Sequence, residues 1–331
     1  MKVLVTGATG FVGSHLTDQL TEQGHEVFSL IRSPKKAQEF DVKGTYIEGS
    51  LSSSGENSWL EKLPSDLDAV VHTAGIVHSM DTSAFYEINA ECTKQLILDL
   101  VARYNKLNFT LISSLAAVGP SGVSNRVDET STPAPVSEYG RSKLKAENYL
   151  VELAKDSWVS NIVRPPMVIG PRDPAVLDVF KMIKSGLVVT AGMQGTQNEY
   201  SFVCVYDLVD CIIKTLSMKN SKIESYFASY PEKITLDELY KTIKKLSDKK
   251  NIINVKIPAP LIKVIGKSIG VLSKFVKLDI RLTPDKVNEL LPNGWVCNST
   301  KSQQDLAKEY DWDLERTIQV TFSDYKTRNW L

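Results

Sequence analysis

The chain opens on Val3, Leu4 and Val5, an uninterrupted apolar run that ends at a glycine-rich turn, Gly7-Ala8-Thr9-Gly10-Phe11-Val12-Gly13. After it Phe11, Val12, Leu16 and Leu20 recur at helical spacing. The pattern predicts a short buried strand, a tight turn and an amphipathic helix. Further apolar runs follow at HEVFSLI, GTYIEG, LDAVVHTAG, FTLISS and VSNIVRPP, with longer segments between them. This alternation predicts a Rossmann-type α/β fold, a doubly wound parallel sheet with helices on both faces. Ligands of such sheets lie beyond the carboxyl ends of the strands. Gly7, Arg32, Ala74, Ser114 and the Arg164-Pro165-Pro166 segment all fall there. The expected organisation is an NAD(P)-binding body over 1–165 with a return over 200–220, and a smaller C-terminal substrate-binding lobe over 166–199 and 221–331. The active site is expected in the cleft between them. Tyr230-Pro231-Glu232 and Pro258 to Pro260 read as connectors within the lobe.

Glycine lets a backbone come close to a pyrophosphate, and the open amides and positive dipole end of the following helix attract its charge. Gly7, Thr9, Gly10, Phe11, Val12 and Gly13 are therefore expected to hold a dinucleotide, although the spacing is GxxGxxG rather than GxGxxG. A tight turn that binds nothing is the plain alternative. The end of the second strand selects the cofactor: an acidic residue there bonds an adenosine ribose hydroxyl, whereas a base accepts a 2′-phosphate. Arg32 and Ser33 stand there with no carboxylate, and Lys35 and Lys36 follow. NADP is expected in preference to NAD, unless Arg32 lies in solvent and either cofactor is accepted.

Tyr139 and Lys143 lie four apart in SEYGRSKLKAENYLVELA, a segment of helical pattern, so both project from one face. A phenol with an ordinary pKa of about 10 is a poor acid or base near neutrality, and an adjacent ammonium favours the phenolate. Ser114, at the end of its strand, can donate a hydrogen bond to a substrate carbonyl. Alone, a Tyr/Lys pair is an ordinary feature of an exposed helix. Combined with the glycine turn and Ser113-Ser114, it points to nicotinamide redox catalysis.

Composition narrows the partners. The 331 residues include 39 basic and 39 acidic side chains, so no net charge argues for nucleic acid. The apolar start is too short for a secretion signal and no apolar run could span a bilayer, so a cytoplasmic protein is expected. Cys92, Cys204, Cys211 and Cys297 show neither paired nor metal-ligand spacing, which fits free thiols in a reducing compartment. With 4 histidines and no His/Cys cluster, no metal site is expected.

The combined motifs resemble the extended short-chain dehydrogenase/reductases, the NAD-dependent epimerase/dehydratase family, over nearly the whole chain. TGATGFVG is similar to that family's cofactor loop, His72-Thr73-Ala74-Gly75 to its HxAG segment, and Asn89 to its helical Asn. ISSLAAVGP resembles the strand bearing the catalytic Ser, and counting back from Gly119 assigns that place to Ser114. PVSEYGRSK resembles the Tyr/Lys helix, RPPMVIGPRD the nicotinamide-side loop and YSFVCVYDLVD a later strand and turn. The resemblance implies Ser114, Tyr139 and Lys143 as catalytic residues. It also places Thr73, Ala74, Gly75, Asn89, Pro166, Met167 and Val168 at the cofactor, with Ser50 and Leu51 near its adenine.

The departures bear on the substrate. Family members acting on nucleotide sugars commonly carry Asn where this chain has Met167, and Arg where it has Tyr200. Leu115 and Ala116 replace the Asp/Glu pair of sugar dehydratases, which argues against that elimination. Cys92, Ile169 and Ser50 stand for a usual Gly, Tyr and Asp. An apolar set suits a hydrophobic ketone or alcohol, and the chain looks most like the 3β-hydroxysteroid dehydrogenase and dihydroflavonol reductase side of the superfamily. The leading expectation is a carbonyl reductase or alcohol dehydrogenase with His78, Met80, Met167 and Tyr200 bordering the substrate. A nucleotide-sugar epimerase with tightly held NAD is the alternative, and a non-catalytic NADP-binding sensor the third reading.

Pro258 to Lys277 forms a basic amphipathic pattern, with Lys263, Lys267, Lys274 and Lys277 near one helical face and Leu261, Ile262, Ile265, Ile269, Leu272, Phe275 and Val276 over much of the rest. It suits either an anionic membrane surface or ordinary packing on the lobe with lysines in water. A homodimer is implied by the resemblance, through parts of 89–104 and 138–155.

Overall fold

The buried Val3, Leu4 and Val5 belong to a strand with a hydrogen-bonded neighbour on each side. In the computed structural model, which describes residues 1–54, 58–122, 125–219, 222–247, 251–272 and 283–331, six strands lead the chain through the main sheet. They are β1 (Lys2–Thr6), β2 (Glu26–Ile31), β3 (Thr45–Glu48), β4 (Ala69–His72), β5 (Asn108–Ile112) and β6 (Val159–Arg164). A seventh, Ile223–Phe227, joins the edge beside β6, giving the parallel order Ile223–Phe227, β6, β5, β4, β1, β2, β3. The chain runs outward from β1 to β3 and restarts at β4. A topological switch therefore lies between the carboxyl ends of β1 and β4, the ligand crevice of such sheets.

Strands buried on both faces need a helical layer on each side. On one face the Phe11–Glu22 and Val205–Leu216 helices contribute Leu16, Leu20, Leu208 and Ile212 to a continuous core. On the other, the Cys92–Arg103 and Glu138–Leu153 helices contribute Leu96, Ile97, Leu100 and Leu150, and Phe109 stacks on Trp158 with centroids 6.1 Å apart. The Ile223–Phe227 strand corrects the expected boundary at 220. Tyr226 and Phe227 are fully buried because this strand pairs with β6 in register from Ile223↔Ser160 to Phe227↔Arg164.

The C-terminal part has its own core of Ile169, Phe180, Ile183, Ile318 and Tyr325. Short strands frame it: Met167–Ile169 pairs with Phe202–Cys204, and Leu187–Ala191 with Ile253–Ile257. Glu199–Tyr200 lies between Ile234–Thr235 and Gly294–Trp295. The amphipathic segment folds as a helix, Ala259–Leu272. The side chains of Lys267 and Leu272, and Lys274, Phe275, Val276 and Lys277 entirely, lie outside the described residues.

Candidate active site

The glycine turn is shaped by close approach. Gly7 has φ of +70°, and a Cβ on it would sit 2.7 Å from the Ala74 backbone nitrogen beyond β4. A Cβ on Gly13 would fall 2.2 Å from the Gly7 carbonyl oxygen. Only glycine lets the first helix start this close to the strand end. Gly10 caps that helix in an extended conformation without a side-chain hydrogen bond, so the first-turn amides face the crevice with no side chain of the cap in their way. A diphosphate fits such a cradle.

Arg32 is exposed immediately after β2. The Ser33 hydroxyl accepts a hydrogen bond from the Lys36 backbone at 3.3 Å and caps the short Pro34–Glu39 helix. Ser50 is exposed after β3, its hydroxyl 3.3 Å from the Leu51 carbonyl, while Leu51 packs against the core. At the end of β4, His72 is a structural residue. Its Nδ1 lies 2.7 Å from the Thr6 hydroxyl and its Nε2 2.8 Å from that of Thr93, and burial pushes its pKa down to about 3. The Thr73 hydroxyl donates to the Thr6 carbonyl at 2.6 Å, leading Ala74 and Gly75 past the glycine turn.

Asn89 is held by hydrogen bonds within the protein. Its Oδ1 accepts from the Ile76 backbone at 2.8 Å, and its Nδ2 donates to the Ile76 carbonyl at 3.0 Å and the Ser142 hydroxyl at 3.1 Å. Both amide protons are committed. Asn89 ties the loop after β4 to the helix bearing Tyr139. It does so from a π-helical segment, Tyr86–Glu91, ahead of the Cys92–Arg103 helix, a distortion common at functional sites.

The two serines after β5 separate cleanly. Ser113 turns inward and donates to Glu147. Ser114 caps the Leu115–Val118 helix, accepting from the Ala116 backbone at 3.1 Å, and its hydroxyl lies on the side of the Tyr139 phenol, where it favours the phenolate. Gly140 permits this meeting, since a Cβ there would lie 2.3 Å from the Ala116 carbonyl oxygen. The half-buried Tyr139 ring packs edge-on against Phe85, centroids 5.9 Å apart. Burial raises its pKa to about 12, the Ser114 hydroxyl working against that rise and Glu289 adding to it. One turn on, the buried Lys143 donates to the Ile112 carbonyl at 2.6 Å. Burial lowers its pKa to about 8, with Glu147 opposing the shift.

Two supporting sets escaped sequence reading. Glu147, a further turn along the same face, forms a buried two-point pair with Arg164, Nε to Oε1 at 3.0 Å and Nη2 to Oε2 at 2.6 Å. The i, i+4, i+8 spacing of Tyr139, Lys143 and Glu147 could have flagged it. The second set comes from the Pro284–Leu290 helix. Buried Asp285 accepts from the Glu138 and Tyr139 backbone amides at 2.7 and 3.2 Å, and Glu289 accepts from the Ser137 hydroxyl at 2.7 Å. No local pattern connects residues so far apart in sequence.

On the lobe side, Pro166 and Met167 follow β6, and Met167 and Val168 pair with Phe202 and Val203. The half-buried Tyr200 packs between two apolar clusters and hydrogen-bonds Asn198. His78 and Met80 lie half-buried on the loop between Gly75 and the helix starting at Ser83.

The comparisons with known proteins agree with this geometry. The model of the NAD-dependent epimerase/dehydratase family matches residues 3–226. UDP-glucose 4-epimerase of Vibrio cholerae is 28% identical over 81% of this chain and 82% of its own length. N-acetyl-α-D-glucosaminyl-diphospho-ditrans,octacis-undecaprenol 4-epimerase of Escherichia coli O157:H7 is 27% identical over 97% of this chain and 95% of its own. Among solved structures, UDP-glucuronic acid 4-epimerase of Bacillus cereus, in complex with UDP-glucuronic acid and NAD, superposes with a TM-score of 0.77 at 22% identity, covering 99% of this chain and 100% of that one. A glycine turn at the sheet switch, a Ser-Tyr-Lys set after β5 and a family match over more than half the chain lead to one conclusion: the protein is an enzyme of the NAD-dependent epimerase/dehydratase family, the extended short-chain dehydrogenase/reductases.

Proposed function

We propose that the protein is a nicotinamide-dependent 4-epimerase of a diphosphate-linked sugar. The placement of Tyr139 and Lys143 one turn apart on one helix, against the end of β5 that carries Ser114, carries the reading. Two relatives aligned over most of their length are 4-epimerases of sugars on a diphosphate. The bound nicotinamide supplies the acceptor, and then the donor, of a hydride. Tyr139 takes the proton of the sugar hydroxyl as the ketone forms and gives it back on reduction. Ser114 holds the same oxygen throughout. The phenol must fall several units from about 12 to act near neutral pH, and Lys143 is the cation placed on its helical face to bring it down. The glycine turn holds the dinucleotide diphosphate, and exposed Arg32 with Ser33 favours NADP over NAD. The substrate takes the cleft on the Met167 and Tyr200 side, bordered by His78 and Met80.

One observation favours a second reading, net reduction of a hydrophobic ketone. Met167 and Tyr200 pack against apolar clusters where nucleotide-sugar enzymes of the family commonly carry polar handles. One experiment separates the two. The purified protein is given NAD(P) with UDP-glucose, UDP-N-acetylglucosamine or polyprenyl-diphosphate N-acetylglucosamine, and the C4 epimers are quantified by NMR. NADPH consumption is followed in parallel with steroid, flavonoid and aryl ketones. Epimer without net cofactor consumption supports the proposal; stoichiometric NADPH oxidation by a ketone, with no epimer from any sugar, replaces it with the second reading.

A further inference from the structure

The Ala259–Leu272 helix presents two faces. Ile262 is buried and Gly266 sits against the Pro284–Leu290 helix, where a Cβ would lie 2.8 Å from the Val287 side chain. At 100° per residue the opposite face holds Leu261, Val264 and Ser268, with Lys263 beside them. Leu261 is 51% exposed and Val264 58%, and Lys263 is also exposed. The strand leading into this helix continues the pattern. Ile253 and Val255 pair with Leu187 and Val189, and all four are exposed, Ile253 at 68%. Scattered exposed aliphatics are ordinary. Two consecutive elements that both turn aliphatic side chains outward are not.

Charge says what covers them. Between Lys249 and Leu278 the chain carries seven lysines and no Asp or Glu, in a protein whose 39 basic and 39 acidic residues balance. Neither Lys256 nor Lys263 has an ion-pair partner among the described residues. Exposed leucine and valine together with the exposed Lys256 and Lys263 match an anionic lipid surface, where the aliphatics enter the headgroup boundary and the ammoniums meet phosphates. No helix among the described residues is long and apolar enough to cross a membrane, so the contact is peripheral.

The position fits the chemistry. The Ala259–Leu272 helix packs on the Pro284–Leu290 helix, whose Asp285 holds the amide of Tyr139. Helices in contact lie about 8–10 Å apart, which sets the outer face roughly 20 Å from the catalytic helix. We propose that this face docks the enzyme on anionic membranes, so that the cleft receives its sugar from a lipid-diphosphate carrier. The carrier rests on the epimerase reading; the docking does not.

The test is flotation of the full-length protein, without substrate or cofactor, with phosphatidylglycerol-containing vesicles and with phosphatidylcholine alone, at low salt. The wild type is expected to float with the anionic vesicles only. Leu261→Glu/Val264→Glu should weaken that association roughly tenfold or more, with its melting temperature unchanged. If that variant fails to fold, Lys256→Glu/Lys263→Glu serves the same purpose without touching an apolar side chain. Wild type that stays in the dense fraction, or apolar-face and lysine variants that float as well as wild type, overturns the proposal. So does a lipid-free dimer that the variant abolishes, which would assign the face to a second copy of the chain. Flotation reads no activity, so a failed epimerase assay leaves it standing and failed flotation leaves the epimerase standing.

Discussion

Glu147→Gln tests the support behind the catalytic lysine. Its carboxylate meets Arg164 at two points, and the two side chains are 3% and 9% exposed. Glutamine keeps the volume but turns an amide donor toward a guanidinium that only donates. Removing one partner of a buried pair costs about 3–5 kcal/mol. For 331 residues, at about 2.1 cal/mol/K per residue, the unfolding entropy is roughly 0.7 kcal/mol/K, so the melting temperature should drop by roughly 4–7 °C. The same carboxylate supports the Lys143 ammonium, whose pKa stands at about 8. Without it that pKa falls further. A fall of about one unit leaves roughly a tenth of the ammonium charged at pH 8. Activity that needs the charged lysine is lost as pH rises through this pKa, so the alkaline limb of kcat should move to lower pH. Glu147→Gln/Arg164→Met should recover most of the stability, since a neutral replacement of a buried pair is near neutral in energy, yet keep the displaced limb. Calorimetry and a kcat profile from pH 6 to 10 measure both effects. An unchanged melting temperature with an unmoved limb would refute the reasoning.

Four further outcomes follow from the site. Tyr139→Phe should lower turnover by on the order of 10²-fold or more while dinucleotide titration by fluorescence stays near wild type. On the proposal that Arg32 selects NADP, Arg32→Ala should weaken NADPH binding relative to NADH by roughly tenfold, the worth of one charged hydrogen bond, in parallel binding titrations. Asp285→Ala removes the acceptor of two helix-start amides and should cost about 1–2 kcal/mol in urea unfolding, with kcat falling more than KM rises. His72 is neutral in the fold, its pKa lowered from 6.5 to about 3, so the unfolded chain binds the extra proton between those values. Its contribution is present above pH 6.5 and lost progressively as pH falls toward 3; His72→Gln should flatten that part of the stability-pH curve.

What could be read from sequence was local. The glycine turn, the strand ends and the four-residue step from Tyr139 to Lys143 depend on neighbours within a few positions, and periodicity records those directly. Ser114 was chosen over Ser113 by counting back from Gly119 along the family pattern; that the two side chains part, Ser113 to Glu147 and Ser114 to the helix start, depends on partners no local pattern shows. The Asn89 hydrogen bonds were not legible, because its partners, Ile76 and Ser142, come from separate elements. The Ile223–Phe227 strand was placed in the wrong lobe because an apolar run does not say which sheet edge it joins. Met167 and Tyr200 drew attention to hydrophobic ketones, whereas two relatives aligned over most of the chain are 4-epimerases of diphosphate-linked sugars.

The carboxylates of Asp285 and Glu289 give the protein an order of assembly. Asp285 reaches an amide 147 positions earlier in the chain, so the N-terminal sheet can close and its glycine turn can form while the start of the proton-transfer helix still lacks its anchor. During synthesis the glycine turn therefore emerges long before the residues that hold the start of the Tyr139 helix. Without the segment that carries Asp285, the amides of Glu138 and Tyr139 lose the carboxylate that accepts from them, and the first turn of that helix is held by Ser137 alone.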